Sequence, residues 1–330
     1  LLKHWGYNNF REMQEEIVES VASGKDTLGL MPTGGGKSIT FQVFSLANPG
    51  VCLVITPLIA LMKDQVENLQ KRHIKAAAIY SGMTKSEIEI ALNNVCNGNY
   101  KFLYLSPERL KNFYFRERLK SMTVNLITVD EAHCISQWGY DFRLSYLEIA
   151  EIRQQLPDVP VLALTATATP KVVKDIQEKL LFKEKNVLQK SFERKNLVYY
   201  VINTEDKIKQ LFRLVTKIDG SAVIYVRNRR KTKEYALLLQ KYKISADYYH
   251  AGLDATSRAS KQNAWQKGTI RIMVCTNAFG MGIDKPDVRL VIHLDLPDSL
   301  EAYFQEAGRA GRDGKKAWAF LVTNTADKHK

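Results

Sequence analysis

Apolar residues in this chain come in short unbroken runs rather than in strict alternation with polar ones. A first series comprises Thr27–Met31, Val51–Thr56, Phe102–Ser106, Leu126–Asp130 and Val161–Thr165. Each run leads into a polar or glycine-bearing turn and then an amphipathic stretch of helical spacing. A second series follows at Ala222–Val226, Ile270–Thr276 and Leu290–Leu294. Runs apolar on both faces predict strands buried inside a parallel sheet, with the amphipathic stretches as crossover helices. The expected fold class is α/β, with two tandem domains, each a parallel sheet flanked by helices. Between the series lies the polar passage Lys183–Lys190, followed by Ser191–Asn196, and this stretch is the predicted linker. It puts the boundary near residue 192, with domains 1–191 and 192–330.

Composition agrees with two domains of ordinary size. The chain has 330 residues, 45% hydrophobic and 25% charged, enough apolar content for two cores. No run approaches the roughly 20 apolar residues of a membrane span, and the opening Leu1-Leu2-Lys3-His4-Trp5 is not a targeting peptide. Because Leu1 is not an initiator Met, a trimmed piece of a longer protein is expected. Lys and Arg number 48 against 35 Asp and Glu, a net charge of +13. Such an excess suits a polyanion, whose condensed counterions are released on binding. A merely solvated basic surface is the plainer alternative. Cys52, Cys96, Cys134 and Cys275 lie far apart, without paired C-x-x-C spacing. No zinc site or disulfide framework is expected, and a reducing intracellular compartment, cytoplasmic or nuclear, is.

The sharpest motif is Met31-Pro-Thr33-Gly34-Gly35-Gly36-Lys37-Ser38, set between a strand and a helical stretch. Glycines let backbone N–H groups turn inward around phosphate oxygens at a helix N-terminus, where the dipole favours anions. Lys37 would reach the β- and γ-phosphates, and the Ser38 hydroxyl would ligate magnesium. Met31 stands where the general pattern has its first glycine. The second motif is Asp130-Glu131-Ala132-His133, at the end of a buried run. Ligands of open α/β sheets bind at the carboxyl ends of strands. Asp130 would hold the magnesium ion, and Glu131 would orient and deprotonate the attacking water. Upstream, Tyr7, Arg11 and Gln14 fall at spacings of four and three, which would put them on one helical face. Gln14 could read an adenine edge, and Tyr7 and Arg11 could sandwich the ring.

The second series ends at Gln305-Glu-Ala-Gly308-Arg309-Ala-Gly311-Arg312-Asp313. Two arginines three residues apart, with glycines permitting close approach, suit a γ-phosphate held across a cleft. Thr276 opens a glycine-bearing loop that runs to Asp284. That loop, Tyr249-His250-Ala251-Gly252 and Tyr225-Val-Arg227-Asn-Arg229 all follow apolar runs and offer donors to a phosphodiester backbone.

Together the motifs, with Thr165-Ala166-Thr167, resemble those of superfamily 2 helicases. The stretch from Asp130 through Ser136-Gln137-Trp138-Gly139-Tyr140-Asp141-Phe142-Arg143 is more particular and resembles the aromatic-rich loop of the RecQ family of DNA helicases. Tyr7, Phe10, Arg11 and Gln14 resemble that family's adenine motif, and Phe279 to Pro286 resembles its fifth motif. The resemblance spans nearly the whole chain in order. It implies two RecA-like domains, with ATP and Mg2+ as cofactors, driving 3′-to-5′ translocation on single-stranded DNA and unwinding of tailed duplex DNA in recombination and repair. It also implies that Tyr7, Arg11 and Gln14 hold adenine, with Thr33 and Asp284 among the nucleotide contacts. Arg312 would be the arginine finger and Arg309 its companion.

Trp138, Phe142 and Arg143 would touch the strand, along with Arg229, His250, Gly252 and Thr276. His133, Gln137 and Gln305 would couple strand binding to hydrolysis. Against the family pattern, Tyr140 replaces a frequent histidine and Asn228 replaces the serine before Arg229. Family members usually continue into zinc-binding and winged-helix regions. The expectation here is DNA-stimulated ATP hydrolysis with poor unwinding. Rival readings are an RNA helicase, a nucleic-acid scaffold with a dead ATPase, and an ATP-driven machine acting on protein.

Overall fold

The computed structural model describes the chain apart from Thr33, Tyr140, Thr167, Lys190, Phe192, residues 280–284 and Lys330. It divides into two compact units, Leu1–Phe192 and Glu193–Lys330. In the first unit the strands are β1 (Thr27–Leu30), β2 (Val51–Ile55), β3 (Ala76–Ile79), β4 (Phe102–Leu105), β5 (Val124–Val129), β6 (Val161–Thr165) and β7 (Val187–Gln189). They form one sheet in the order β3-β4-β2-β5-β6-β1-β7. In the second unit β8 (Leu197–Asn203), β9 (Ser221–Tyr225), β10 (Ala246–Tyr249), β11 (Ile272–Cys275), β12 (Val288–His293) and β13 (Ala317–Thr323) form a sheet in the order β10-β11-β9-β12-β13-β8. Every strand pairing among the described residues is parallel.

Parallel strands joined by helices leave neither sheet face to solvent, and the side chains show it. In β2, Val51, Leu53 and Ile55 enter one apolar cluster while Cys52 and Val54 enter another. Strand β9 divides the same way, with Ala222 and Ile224 on one side and Val223 and Tyr225 on the other. Period-two geometry applied to an all-apolar run therefore builds two cores per sheet. Many helices start at residues able to take up a free N–H. Thr84 forms a reciprocal pair with Glu87, and Thr169, Asp206, Asn228, Asp254 and Ser299 each accept from a first-turn amide.

Two expectations need correction. The passage Lys183–Lys190 is not all linker, because Val187–Gln189 is a strand paired with β1. It lies at the sheet edge and buries little, so its sequence carries few apolar residues. Tyr7, Arg11 and Gln14 do not share a helical face. The helix Leu2–Trp5 ends at Gly6 in the left-handed region, and the next begins at Gln14 after Met13, also left-handed at φ 70°. Tyr7 and Arg11 therefore lie in the connecting loop.

The carboxylate of Asp26, just before β1, meets Arg153 in a buried ion pair at 3.2 Å. Asp26 also accepts the backbone N–H groups of Val161 and Lys183, each at 2.9 Å. The Arg153 guanidinium also donates to the carbonyls of Leu156, Pro157 and Val159. The pair thus staples β1, β6 and the approach to β7 at the edge opposite the phosphate loop. Removing one partner strands a buried charge, at a cost of about 3–5 kcal/mol. Arg153→Ala should therefore lower the melting temperature of the first unit by roughly 10 °C. A calorimetric shift below about 2 °C would show the staple to be dispensable.

Candidate nucleotide and nucleic-acid sites

Because the strands of the first sheet run one way, the segments after β1, β5 and β6 emerge at one edge. Thr165, the last residue of β6, joins them. Its carbonyl accepts the Met31 N–H at 3.0 Å, and its hydroxyl meets His133 Nδ1 at 2.9 Å. The glycine loop then turns through Gly34 and Gly36, at φ 78° and 76°, into the helix Lys37–Ala47. Gly35 N–H closes a turn onto the Pro32 carbonyl at 3.0 Å. Lys37 and Ser38 occupy the first turn of that helix, both partly exposed.

Asp130 and Glu131 follow β5 at the same edge. Glu131 takes the left-handed region at φ 48°, an uncommon place for a residue with a side chain. Such a residue stores on the order of 1–2 kcal/mol, and strain of this kind collects at functional sites. Burial, reinforced by the adjacent Glu131 carboxylate, pushes the Asp130 carboxyl up to about 6 against the pull of Lys37. Two neighbouring carboxylates short of positive charge suit a divalent cation, so this donor set with the Ser38 hydroxyl fits magnesium. His133 is buried, and its Nδ1 lies 3.5 Å from Glu131 Oε2. Burial holds its imidazole below the usual range, favouring the neutral form.

Gln14 is buried, and its amide is engaged with the loop itself. Oε1 accepts the Arg11 N–H at 2.9 Å, and Nε2 donates to the carbonyls of Gly35 and Gly36 at 3.3 and 3.1 Å. A Cβ at Gly36 would run into that amide, which together with the positive φ makes glycine necessary there. Arg11 Nη1 donates to the Gly34 carbonyl at 3.2 Å, while Tyr7 is half exposed. Thr33 and Asp284 lie outside the described residues.

The aromatic-rich loop continues from the helical turn Ala132–Ile135. Trp138 is 60% exposed, Gln137 is exposed, and Phe142 is partly so, which is unlike core packing. Arg143 is held by Asp141, with Nη2 to Oδ2 at 3.0 Å. In the second unit, Arg229 opens the helix Arg229–Lys241, capped by Asn228 Oδ1 accepting the Arg230 N–H at 2.8 Å. Asn228 at this position thus serves as a helix N-cap. Gly252 lies against both Arg229 and His250, so these three gather at one place. Burial and the nearby Arg229 and Lys261 draw the His250 imidazole down. Thr276 is buried after β11, its N–H donating to the Tyr249 carbonyl at 3.2 Å. Gln305 is buried on the helix Leu300–Ala307, and Arg309 and Arg312 follow on the turn beyond it, each partly exposed.

Some supporting residues have no motif to announce them. The Tyr146 hydroxyl, fully buried, donates to the Asp130 carbonyl at 2.9 Å and so fixes the end of β5. Arg194, within the stretch expected to be linker, donates to the carbonyls of Gly308, Ala310 and Gly311 at 2.8, 2.9 and 2.6 Å. Asn196 adds a bond to Gly311 at 2.7 Å and one to Lys315 at 2.9 Å. A Cβ at Gly311, where φ is 62°, would come within 2.6 Å of the Asn196 amide. The supposed linker thus braces the arginine turn. Nothing in a polar, charged stretch distinguishes such a brace from a solvated tether.

Comparison with known proteins bears on the whole chain. The DEAD/DEAH box helicase family model matches residues 11–176, and that of the helicase conserved C-terminal domain matches 206–314. The chain is 42% identical over 332 residues to the probable ATP-dependent DNA helicase RecS of Bacillus subtilis, covering 99% of this chain and 66% of that protein. It is 41% identical over 324 residues to the ATP-dependent DNA helicase RecQ of Pasteurella multocida, covering 98% and 51% respectively. The chain therefore spans from about half to about two-thirds of the length of these relatives. Among solved structures, Saccharomyces cerevisiae Dbp5 bound to RNA and ADP BeF3 superposes with a TM-score of 0.76 at 18% identity, over 99% of this chain and 87% of that one. Mycobacterium smegmatis Lhr bound to single-stranded DNA and AMP-PNP gives 0.74 at 19%, over 96% and 46%. These last two likenesses are of fold alone. Taken with the two parallel-sheet units and the motif-bearing edge of the first, the sequence matches place this chain in the DEAD/DEAH box helicase family, on its RecQ branch.

Proposed function

We propose that the chain is the motor core of an ATP-dependent DNA helicase, which hydrolyses ATP to move 3′ to 5′ on single-stranded DNA and so unwind tailed duplex. The observation that carries the reading is the convergence on Thr165, which ties the phosphate loop to the Asp130–His133 segment through two hydrogen bonds. The RecS and RecQ relatives support DNA over RNA as the track, and the net charge of +13 suits either polyanion.

In this reading the backbone of Gly34, Gly35 and Gly36 cradles phosphate oxygens, and Lys37 neutralises the β- and γ-groups. Ser38 and Asp130 hold magnesium, which when bound offsets charge on the triphosphate. Glu131 accepts the proton of the attacking water. His133, through its contacts with Glu131 and Thr165, keeps that carboxylate in place. Tyr7, Arg11 and Gln14 border the adenine, with Gln14 exchanging a loop contact for the base edge. Arg309 and Arg312 supply guanidinium groups to the γ-phosphate in the transition state. Trp138, Phe142 and Arg143 meet the strand on the first unit. Arg229, His250, Gly252 and Thr276 meet its phosphates on the second. Gln137 and Gln305 link strand and nucleotide.

The decisive measurement is ATP turnover with single-stranded, tailed and duplex DNA and with matched RNA. Single-stranded DNA should stimulate far more than RNA. Glu131→Gln should bind ATP but lose roughly a hundredfold or more in kcat, the share of a general base, and Lys37→Ala should lose turnover altogether. A rate indifferent to added polynucleotide would sink the motor reading, and equal stimulation by RNA would favour an RNA helicase. Arg194→Ala should lower kcat on the order of 10- to 100-fold, since small misplacement of a catalytic group has effects of that size. The KM for ATP should change little, and Arg194→Lys should recover part of the rate. An unaltered kcat in a folded Arg194→Ala protein would remove the brace from the account.

A further inference from the structure

Trp138, exposed in the aromatic-rich loop, has a ring face that is already covered. Lys171 Nζ stands 3.0 Å above the centroid of the ring. Lys171 makes no ion pair among the described residues, although Lys174 and Lys179 on the same helix each have a carboxylate within reach. Its ammonium rests instead on the indole.

The contact is built rather than incidental. Lys171 lies in the first turn of the helix Pro170–Lys179, whose start is fixed by the Thr169 hydroxyl accepting the Val172 N–H. Positions 171, 175 and 179 lie on one face of that helix, four residues apart, and all three hold the loop. Asp175 Oδ2 accepts the Ser136 hydroxyl at 2.8 Å, and Ser136 Oγ in turn accepts the Trp138 N–H at 3.2 Å. Lys179 donates to the Ile135 carbonyl at 3.1 Å and stands 5.7 Å from the Phe142 ring. One helical face thus sets the loop's height and brings a cation over its main aromatic.

We infer that Lys171 is an internal competitor for the Trp138 platform, so that a nucleobase of a single strand must displace its ammonium in order to stack. This rests on the reading of Trp138 as a strand contact. The magnitudes permit exchange. A half-exposed cation–π contact shifts an equilibrium by roughly two- to fivefold. A base on an aromatic face shifts one by about fivefold to more than a hundredfold. The base wins, but at an affinity reduced by the competitor. Weak or abasic strand, which cannot stack, leaves Lys171 seated.

The test compares binding of an oligo-dT with an abasic oligonucleotide of the same length by fluorescence anisotropy, taking the ratio of the two affinities. Any plain attraction of Lys171 for phosphate affects both probes and cancels. Lys171→Met should raise the ratio by roughly two- to fivefold, and should leave it unchanged when Trp138→Ala is also present. Lys171→Arg should keep the parent ratio, since a guanidinium can occupy the same face. An unaltered ratio in Lys171→Met, while Trp138→Ala alone lowers it, would overturn the competitor and leave the platform. No change of the ratio in Trp138→Ala would instead overturn the platform itself.

Discussion

The first unit depends on one constraint: its strands run in a single direction, so every segment that follows a strand is delivered to the same edge. Thr165 turns that shared edge into a joint, one atom holding the start of the phosphate loop and another holding His133. To bring the phosphate loop and the acidic segment together, such an edge needs only the correct loop length after each strand. The opposite edge is held by the Asp26–Arg153 pair, which supports the sheet without taking part in the site.

Around this edge the structure tolerates features that a purely structural sheet would avoid. Glu131 stands in the left-handed region, Asp130 is crowded beside it, and successive glycines give up helix-forming side chains. Each costs stability on its own. The surrounding contacts that hold them include Tyr146 beneath Asp130 and Gln14 beneath the glycines, both buried and both hydrogen-bonded there. The second unit follows the same plan with different groups. Its arginine turn is formed by glycines and held by Arg194 and Asn196, whose side chains replace the carbonyl partners that a tight turn leaves unmet.

Much of the fold was legible in advance because its central strands are apolar on both faces, a pattern that few other structures need. All eight runs picked out by that pattern contain strands. The ones left out are instructive: β7 and β10 sit at sheet edges, where half-exposure thins the apolar signal, β3 is a short edge strand made mostly of alanine, and β8 carries exposed tyrosines. Strand β13 is the exception, an apolar run of the same kind as those the pattern does select. The glycine loop, the paired carboxylates and the arginine pair were equally legible, since phosphate chemistry restricts residue type and spacing over a few positions.

What the sequence by itself determined was the α/β class, the two series of strands, and the identity of the groups able to meet a triphosphate. Tertiary structure alone decided which residues hold those groups in place. Tyr146, Arg194 and Asn196 act through contacts between segments far apart in the chain, or between backbone carbonyls and a single side chain. It also moved Tyr7 and Arg11 off the helix where their spacing had put them. The physical reason is range. A motif is local and its chemistry demands particular residues, whereas a brace can be supplied by any donor that the fold happens to bring near.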